Sequence, residues 1–374
     1  MQQVAPRTVG ATGISLELAL EQIAARAGEL DASPRFPREN FDALRAAGVL
    51  QLAGERDACD LGWQIASVRA LASADASTAR ILDGHFNGVE RLVLGAPPEL
   101  CAAELQRVAN GELLLGVWGA DPGAGEGPPA RIEQASNGAL LLSGVKTFCS
   151  GAGGVQRALV IARDERGARR LAYTDVSRGV WIDRSWYRAS GLRASESHRV
   201  EFRNAPVLAL LGGEDEILRE PWFSRDAVRS AATWAGIADR ILQETRAVLG
   251  ESADELRLHA LGRMRVAQGS IDRWLEHAGS RLQEVLTSIA EAADAEQLRA
   301  AERSRALAGE CRVALADGAR AIAADAGRLC GSRALVGGGA LDRARRDLDL
   351  FLLQHRLDPK LVEIGARTLR ATPR

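Results

Sequence analysis

The spacing of apolar residues changes twice along the chain. From residue 14 to about residue 96, apolar positions recur at three- and four-residue steps, which predicts helices. One of these helices is opened by Pro37 and closed by Gly48, residue types favoured at those two ends. From Pro221 onwards the helical period returns and predicts a bundle of four long helices with short connections. They are expected at residues 226–249, 254–290, 295–330 and 340–353.

Between residues 112 and 211 the apolar runs are short and separated by turns. Their spacing is close to the roughly 8–12 residues expected of an all-β unit, so a small β-barrel or sandwich between helical regions is predicted. The expected strands are residues 112–118, 130–134, 139–143, 158–163, 170–175, 180–184 and 199–203. The pattern therefore predicts an α+β fold of three domains, at residues 1–107, 108–218 and 219–374.

Composition narrows the classes of function. The 374 residues include 46% hydrophobic residues, ample for a core, and the net charge of −1 gives no electrostatic case for nucleic acid or an anionic membrane. No apolar run approaches the roughly 20 residues of a membrane span, and we expect no signal peptide. Five cysteines without a CxxC pair favour reduced thiols in the cytoplasm over a metal site or disulfides.

The segment Gly144-Val-Lys-Thr-Phe-Cys-Ser-Gly-Ala-Gly153 carries the first candidate chemistry. The turn signal Asn137-Gly138 precedes it, and strand-like runs flank it, so it is interpreted as the glycine-rich edge of a β-hairpin. Phe148 is able to stack on a flat ring and Ser150 to bond the edge of that ring, while glycine allows close approach of the backbone. A plain hairpin end is the alternative interpretation.

Gly-x-Lys followed by an aromatic and then a hydroxyl residue resembles the flavin-contacting strand of the acyl-CoA dehydrogenase family. The resemblance implies that fold: an N-terminal helical domain, a central β-barrel and a C-terminal four-helix bundle. It also implies that Phe148 packs on the isoalloxazine ring of FAD, with FMN as the other candidate cofactor, and that Ser150 bonds near its N5 atom.

The segment from Trp118 to Gly127 is similar to the family loop that lies along the flavin. This similarity assigns cofactor contacts to Trp118, Ala120, Asp121 and Gly125, and a substrate contact to Glu126. Alanine and glycine replace hydrogen-bonding side chains of the family at Ala120 and Gly127. A surface loop rich in glycine and proline is the alternative.

Two further segments resemble the family. Gly191-Leu-Arg-Ala-Ser195 matches a turn that leads into a barrel strand, which assigns substrate contacts to Arg193 and Ser195; an ordinary solvated turn is the alternative. The segment around Gly262 matches the family's Arg-x-x-Phe-Gly, where the arginine reaches the cofactor diphosphate across a dimer interface. In this chain that position is Leu258, which puts FAD affinity in question.

Near the C-terminus, Gly337 and Gly338 match a glycine-rich cofactor segment of the family. Counting from Arg346-Asp347 places His355 where many members carry the catalytic glutamate. The tail is also similar to flavin-dependent monooxygenases of the same fold, which use a histidine. Asp226 is the other candidate base, with a role in the first turn of its helix as the alternative. A structural role is the alternative for His355.

Three hypotheses of function follow. The first is an FAD-dependent oxidoreductase that acts on the CH–CH bond of an acyl substrate, such as a CoA thioester. The second is an FMN- or FAD-dependent monooxygenase that uses His355. The third is a non-catalytic binding protein that has lost the cofactor. The resemblance further implies an electron-transfer partner or flavin reductase, and a homodimer or homotetramer.

Overall fold

The computed structural model describes residues 14–52, 60–250, 253–289, 293–354 and 356–370. The helices are α1 (Leu16–Ala32), α2 (Arg38–Ala46), α3 (Val49–Leu52), α4 (Leu61–Ala74), α5 (Ala76–Gly95), α6 (Pro98–Ala109), α7 (Trp222–Leu249), α8 (Glu255–Ile289), α9 (Asp294–Cys330), α10 (Ala340–Gln354) and α11 (Asp358–Arg370). The strands are β1 (Leu115–Trp118), β2 (Arg131–Gln134), β3 (Leu140–Cys149), β4 (Arg157–Arg163), β5 (Arg169–Asp175), β6 (Val180–Asp183) and β7 (His198–Leu211).

The chain forms two compact units, neither of which is continuous in sequence. The first unit comprises Met1–Cys59, Arg80–Ala189 and Arg193–Arg219, and it holds the seven strands found in the described residues. The second unit comprises Asp60–Ala79, Ser190–Leu192 and Glu220–Arg374. Helix α4 therefore belongs to the second unit, although α1 to α3 belong to the first.

The strands of the first unit close into a small barrel. Along the sheet the order is β1-β4-β2-β3-β7-β5, and the additional pairing of β4 with β5 closes the ring. β6 pairs with β7 outside this path. The α+β fold with a barrel between helical segments is thus confirmed.

The interpretation of residues 144–153 as a hairpin end is wrong. β3 runs through to Cys149, and its partners are β2 and β7, whereas β4 pairs with β1, β2 and β5. The Asn137-Gly138 turn is present, but it joins β2 to β3. Gly144 has a φ of +111°, and a Cβ added to it would lie 2.6 Å from the carbonyl oxygen of Pro129. A single glycine thus admits a bulge in β3 without ending the strand.

Within the described residues, the second unit contains helices and no strand. In it α7 lies so close to α4 that a Cβ on Gly236 would meet the carbonyl oxygen of Arg69 at 2.1 Å. The fully buried rings of Trp234 and Phe351 meet edge to face, with centroids 6.2 Å apart. The four predicted bundle helices are confirmed as α7 to α10, and α11 is an additional helix that the sequence analysis missed. No helix in the described ranges is long and apolar enough to cross a membrane.

Candidate functional site

Three segments of the first unit come together around the end of β3. Ala120, in the loop after β1, pairs with Thr147 in an isolated antiparallel bridge. On the other side, the backbone N–H of Gly151 donates to the carbonyl oxygen of Ser195 at 2.8 Å. The end of β3 is therefore hydrogen-bonded both to the loop after β1 and to the turn that precedes β7.

Phe148 lies at the surface although it is large and apolar, with 46% of its area exposed. Its φ of +52° is in the left-handed region, which bulky residues rarely adopt and which is often found at functional sites. The ring meets Trp186 edge to face, with centroids 4.9 Å apart and an interplanar angle of 81°. Phe148 is thus held with an aromatic surface available to a planar ligand.

A buried lysine fixes the start of the loop after β1. Lys146 Nζ lies 2.6 Å from Asp121 Oδ1 and donates to the carbonyl oxygen of Gly119 at 3.1 Å. Lys146 is 1% exposed, whereas about half of the Asp121 side chain faces solvent. Thr147 Oγ1 adds a hydrogen bond to the carbonyl oxygen of Asp121 at 3.2 Å. Asp121 therefore serves as the counter-charge of a buried cation.

Glu126 closes the same loop on itself and links it to the aromatic pair. Its carboxylate accepts from the backbone N–H of Gly123 at 2.6 Å and from Trp186 Nε1 at 2.8 Å. These two donors lower the pKa of Glu126, the bond from Gly123 having the larger effect. Arg199 Nε donates to the carbonyl oxygen of Glu126 at 3.0 Å. Glu126 is thus an ionised side chain that orients Trp186 beside Phe148.

Ser150 is held from several directions. Trp118, which is fully buried, donates from Nε1 to the carbonyl oxygen of Ser150 at 3.0 Å. The Ser150 hydroxyl shares a hydrogen bond of 2.9 Å with Ser197 Oγ, which in turn shares one of 2.8 Å with Ser195 Oγ. Trp118 therefore supports this site from the interior, through the hydrogen bond from its ring nitrogen. Sequence reasoning missed Ser197, although it lies two residues beyond Ser195 in a turn already singled out.

A charged cluster lies next to this row of serines. Glu196 Oε2 accepts from Arg184 Nη1 at 2.6 Å, and Glu196 Oε1 lies 3.1 Å from His198 Nε2. Burial alone would raise the pKa of Glu196, but its contacts with His198 and Arg184 outweigh burial and lower that pKa. Glu196 has a φ of +48°, so the turn before β7 carries strain beside the serines.

The remaining predicted site residues are distributed over both units. Arg193 is half-buried in the short turn before Ser195, and Gly337 and Gly338 are exposed in the second unit at φ +86° and +72°. Asp226 Oδ1 lies 2.6 Å from Arg229 Nη2. Because α7 begins at Trp222, the alternative of a first-turn role for Asp226 is wrong. The prediction for His355 falls outside the described residues.

The second unit contains a cavity of about 610 Å³. It lies where α7 ends and α8 begins, and Arg246 and Leu258 are among the residues that line it. Leu258 is 55% exposed. Leu258 thus presents an apolar side chain beside open space.

Comparison with known proteins identifies the fold. Neither a scan of protein-family models nor a search of curated proteins found a match. Solved structures do match: TdsC from Paenibacillus sp. A11-2, in a complex with FMN and indole, has a TM-score of 0.84 at 20% identity, covering 95% of this chain and 96% of that chain. Methanesulfinate monooxygenase MsuC from Pseudomonas fluorescens has a TM-score of 0.83 at 23% identity, with 97% and 99% covered.

KijD3, in a complex with FMN and dTDP-3-amino-2,3,6-trideoxy-4-keto-3-methyl-D-glucose, is a third such structure. Its TM-score is 0.82 at 21% identity, with 96% of this chain and 93% of that chain covered. Similarity over nearly the whole length of each chain shows that this protein has the acyl-CoA dehydrogenase-like fold that its sequence motifs predicted.

Proposed function

We propose that the chain is a flavin-dependent oxidoreductase that binds FMN and oxidises a small organic molecule. The observation that carries the proposal is the combination of exposed Phe148 with the half-buried hydroxyl of Ser150, at the end of one barrel strand. These residues occupy a fold of which TdsC and KijD3 are examples solved with FMN. The loop from Asp121 to Gly127 completes the proposed site on the same unit.

The chemistry of these groups fits a flavin. Phe148 offers an aromatic face and Ser150 a hydroxyl that is able to donate or accept a hydrogen bond. At Gly125, at φ +82°, an added Cβ would have no atom within 4 Å, so a ligand is able to approach the backbone closely. Within the described residues, the backbone N–H of Gly125 forms no hydrogen bond and is available as a donor.

FMN, when bound, supplies the two-electron redox chemistry. Phe148 would stack on its ring, Ser150 would bond the edge of the ring, and the loop N–H groups would donate to anionic oxygen atoms. Glu126 would act indirectly, by holding Trp186 against Phe148.

We propose FMN over FAD because this chain lacks one of the residues that, by the family resemblance, would bind the part of FAD beyond FMN. The arginine expected at position 258 is a leucine, and Leu258 lies half exposed at the edge of a cavity. Arg257, the adjacent residue, would be displaced by about 100° around the helix axis.

Between the two reactions, we favour oxygen-dependent oxidation. Dehydrogenation of an acyl thioester needs a base for the α-carbon, and of the two candidates Asp226 is occupied by an ion pair with Arg229, whose side chain is fully buried. A monooxygenase does not need that base. MsuC, which has the same fold, is a methanesulfinate monooxygenase.

Several finer features belong to this proposal. Oxygen-dependent turnover needs a source of reduced FMN, so a separate flavin reductase is the expected partner. A homodimer or homotetramer and a cytoplasmic location are proposed on the family resemblance and on the free cysteines of the described chain. An acyl thioester substrate and an electron-transfer acceptor belong to the dehydrogenase alternative.

The first test is a visible absorption spectrum of the purified protein during titration with FMN and, in parallel, with FAD. We expect a perturbed flavin spectrum that saturates at a lower concentration of FMN than of FAD.

The second test is turnover. The protein is supplied with reduced FMN, a panel of sulfur, nitrogen and aromatic substrates, and ¹⁸O₂. Labelled product supports oxygen transfer, whereas oxidation of an acyl thioester under anaerobic conditions supports the dehydrogenase. A spectrum of free flavin at every concentration contradicts both and favours the non-catalytic hypothesis.

A further inference from the structure

We propose that Ser197 and Ser195 fix the direction of the Ser150 hydroxyl, so that Ser150 presents a proton rather than a lone pair to a bound flavin. Ser197 is then a positioning residue for the cofactor. This inference rests on the proposed function, because it concerns the same site.

The geometry is a row of three hydroxyl groups. Ser150 Oγ lies 2.9 Å from Ser197 Oγ, and Ser197 Oγ lies 2.8 Å from Ser195 Oγ, both normal distances for O–H···O hydrogen bonds. Ser195 is fully buried and Ser197 is 3% exposed, while Ser150 is half-buried. The row therefore runs from the protein interior to the candidate site.

Each hydroxyl has one proton and is able to accept two hydrogen bonds. If Ser150 and Ser195 both donated to Ser197, the proton of the buried Ser197 would have no acceptor within the described residues, so the row runs in one direction. Within the described residues, Ser197 is the only hydrogen-bond partner of Ser195 Oγ. If the row ran inward, the last proton would point from Ser195 into a buried region without an acceptor, which costs free energy. If it runs outward, Ser195 donates to Ser197, Ser197 donates to Ser150, and Ser150 has its proton free for a ligand.

The backbone prevents the row from relaxing. The carbonyl oxygen of Ser150 accepts from Trp118 Nε1 at 3.0 Å, and the next N–H, of Gly151, donates to the carbonyl oxygen of Ser195 at 2.8 Å. Both ends of the row are thus fixed by bonds separate from the hydroxyl groups. A group held in this way needs no reorganisation when a ligand binds.

The direction of the Ser150 hydroxyl matters because N5, at the edge of the flavin ring, changes from hydrogen-bond acceptor to donor on reduction. N5 of oxidised FMN carries a lone pair and accepts a hydrogen bond, whereas N5 of reduced FMN carries a proton and donates one. A Ser150 held as a donor therefore favours oxidised FMN over reduced FMN. Removing Ser197 would leave the Ser150 hydroxyl free to rotate and would reduce this preference.

The test measures Kd for oxidised FMN and, anaerobically, for dithionite-reduced FMN in wild type and in Ser197→Ala. We expect binding of oxidised FMN to weaken three- to tenfold more than binding of reduced FMN. This difference equals a rise in the midpoint potential of bound FMN of about 15–30 mV, since tenfold is about 30 mV for two electrons. Ser197→Thr, which keeps the hydroxyl, should restore the wild-type ratio of the two constants.

Two further variants separate orientation from general support of the structure. Ser195→Ala should shift the ratio in the same direction by a smaller factor, and it serves as the test if Ser197→Ala does not fold. In a Ser150→Ala background, Ser197→Ala should leave the ratio unchanged, because the two residues act through one hydroxyl. Ser143→Ala is the matched control, because Ser143 is also on β3 and its hydroxyl donates a hydrogen bond to Asn204 Oδ1. The rise per residue of a strand places Ser143 about 20 Å from Ser150.

The outcomes distinguish this inference from the proposed function. Equal weakening of both redox forms in Ser197→Ala, or no change in either, overturns the orienting role while leaving FMN binding intact. If wild type binds neither form of FMN, the proposed function fails and the inference fails with it. A shift of the ratio in Ser143→Ala as large as in Ser197→Ala would also overturn the inference.

Discussion

At the scale of single residues, Phe148 combines an unfavourable backbone conformation with an exposed ring. Replacing Phe148 with Gly removes a left-handed strain of about 1–2 kcal/mol. It also removes an aromatic contact with Trp186 worth about 0.5–1.5 kcal/mol. Loss of the buried half of the side chain costs about 1 kcal/mol more, and the greater freedom of glycine in the unfolded chain costs about 0.5–1 kcal/mol. Phe148→Gly should therefore destabilise the protein by about 1 kcal/mol and by no more than about 2.5 kcal/mol, measured by urea titration. FMN affinity should fall by about five- to 150-fold, because a stacked ring contributes roughly 1–3 kcal/mol.

Asn204→Gly is the control for the Phe148 variant. Asn204 has a φ of +54° in the same unit, so this variant also places glycine at a left-handed position, without removing a ring. Asparagine tolerates this conformation better than phenylalanine, so less backbone strain is relieved. It should leave FMN affinity unchanged. Unaltered FMN affinity in Phe148→Gly would remove Phe148 from the binding site.

A second prediction at this scale concerns His85 and pH. His85 is fully buried, its Nδ1 accepts from the backbone N–H of Leu115 at 3.2 Å, and burial lowers its pKa to about 4. In the unfolded chain the ordinary pKa is about 6.5, so below that pH the unfolded state takes up a proton that the folded state refuses. The contribution of His85 to stability is therefore complete above pH 6.5 and is lost progressively down to pH 4, by about 3 kcal/mol in total.

His85→Gln keeps a hydrogen-bond acceptor but has no titratable group. Urea unfolding between pH 7.5 and pH 4.5 should give a shallower loss of stability for this variant than for wild type. Carboxylates whose pKa is lowered, such as Asp175 and Asp183, lose their contributions at lower pH in both proteins, so the difference isolates His85. His259→Gln, at an exposed position of α8, is the control; parallel curves for wild type and His85→Gln would contradict the prediction.

At the scale of helices, a substitution at Gly236 tests how closely α7 and α4 pack, and a glycine on α8 serves as the control. A Cβ on Gly236 would lie 2.1 Å from the carbonyl oxygen of Arg69 and 2.7 Å from Ala72 Cβ. Gly236→Ala should therefore destabilise the protein by about 2–3 kcal/mol, although alanine is the better helix former. Gly262→Ala, at an open position on α8, should instead stabilise by up to about 1 kcal/mol. Unfolding midpoints in urea measure both, and a stabilised Gly236→Ala would contradict the packing.

Sequence patterns located the helices and strands better than they predicted which strands pair with each other. The helical period located α7 to α10, and alternation located the barrel strands, because both depend on local burial. The hairpin error at Gly144–Gly153 arose because β3 pairs with β7 across 49 to 65 residues of sequence, which no local signal encodes. Ser197 was missed for the same reason: its bond to Ser150 spans 47 residues. The family resemblance implied a flavin-stacking role for Phe148, whereas nothing in the sequence indicated its left-handed backbone.

At the scale of the whole molecule, the interleaving of the two units predicts cooperative unfolding. The chain passes from the second unit to the first within α5 and returns after Ala189. If the first unit unfolded alone, the segment from Arg80 to Ala189 would become a closed loop of about 110 residues, at an entropic cost of roughly 4 kcal/mol. This cost favours unfolding of both units together.

FMN binding tests that cooperativity. At about 100 times Kd, FMN stabilises the folded state by about 2.7 kcal/mol. If all 374 residues unfold together, an entropy of about 2.1 cal/mol/K per residue converts this to a rise in Tm of about 3–4 °C in one calorimetric transition. If the first unit, roughly half of the chain, unfolds on its own, two transitions appear and only one moves, by about 7 °C. We expect the single transition, because the entropic cost of the closed loop disfavours unfolding of the first unit alone. Flavin bound to residues of the first unit would then also stabilise the helices of the second unit against heat.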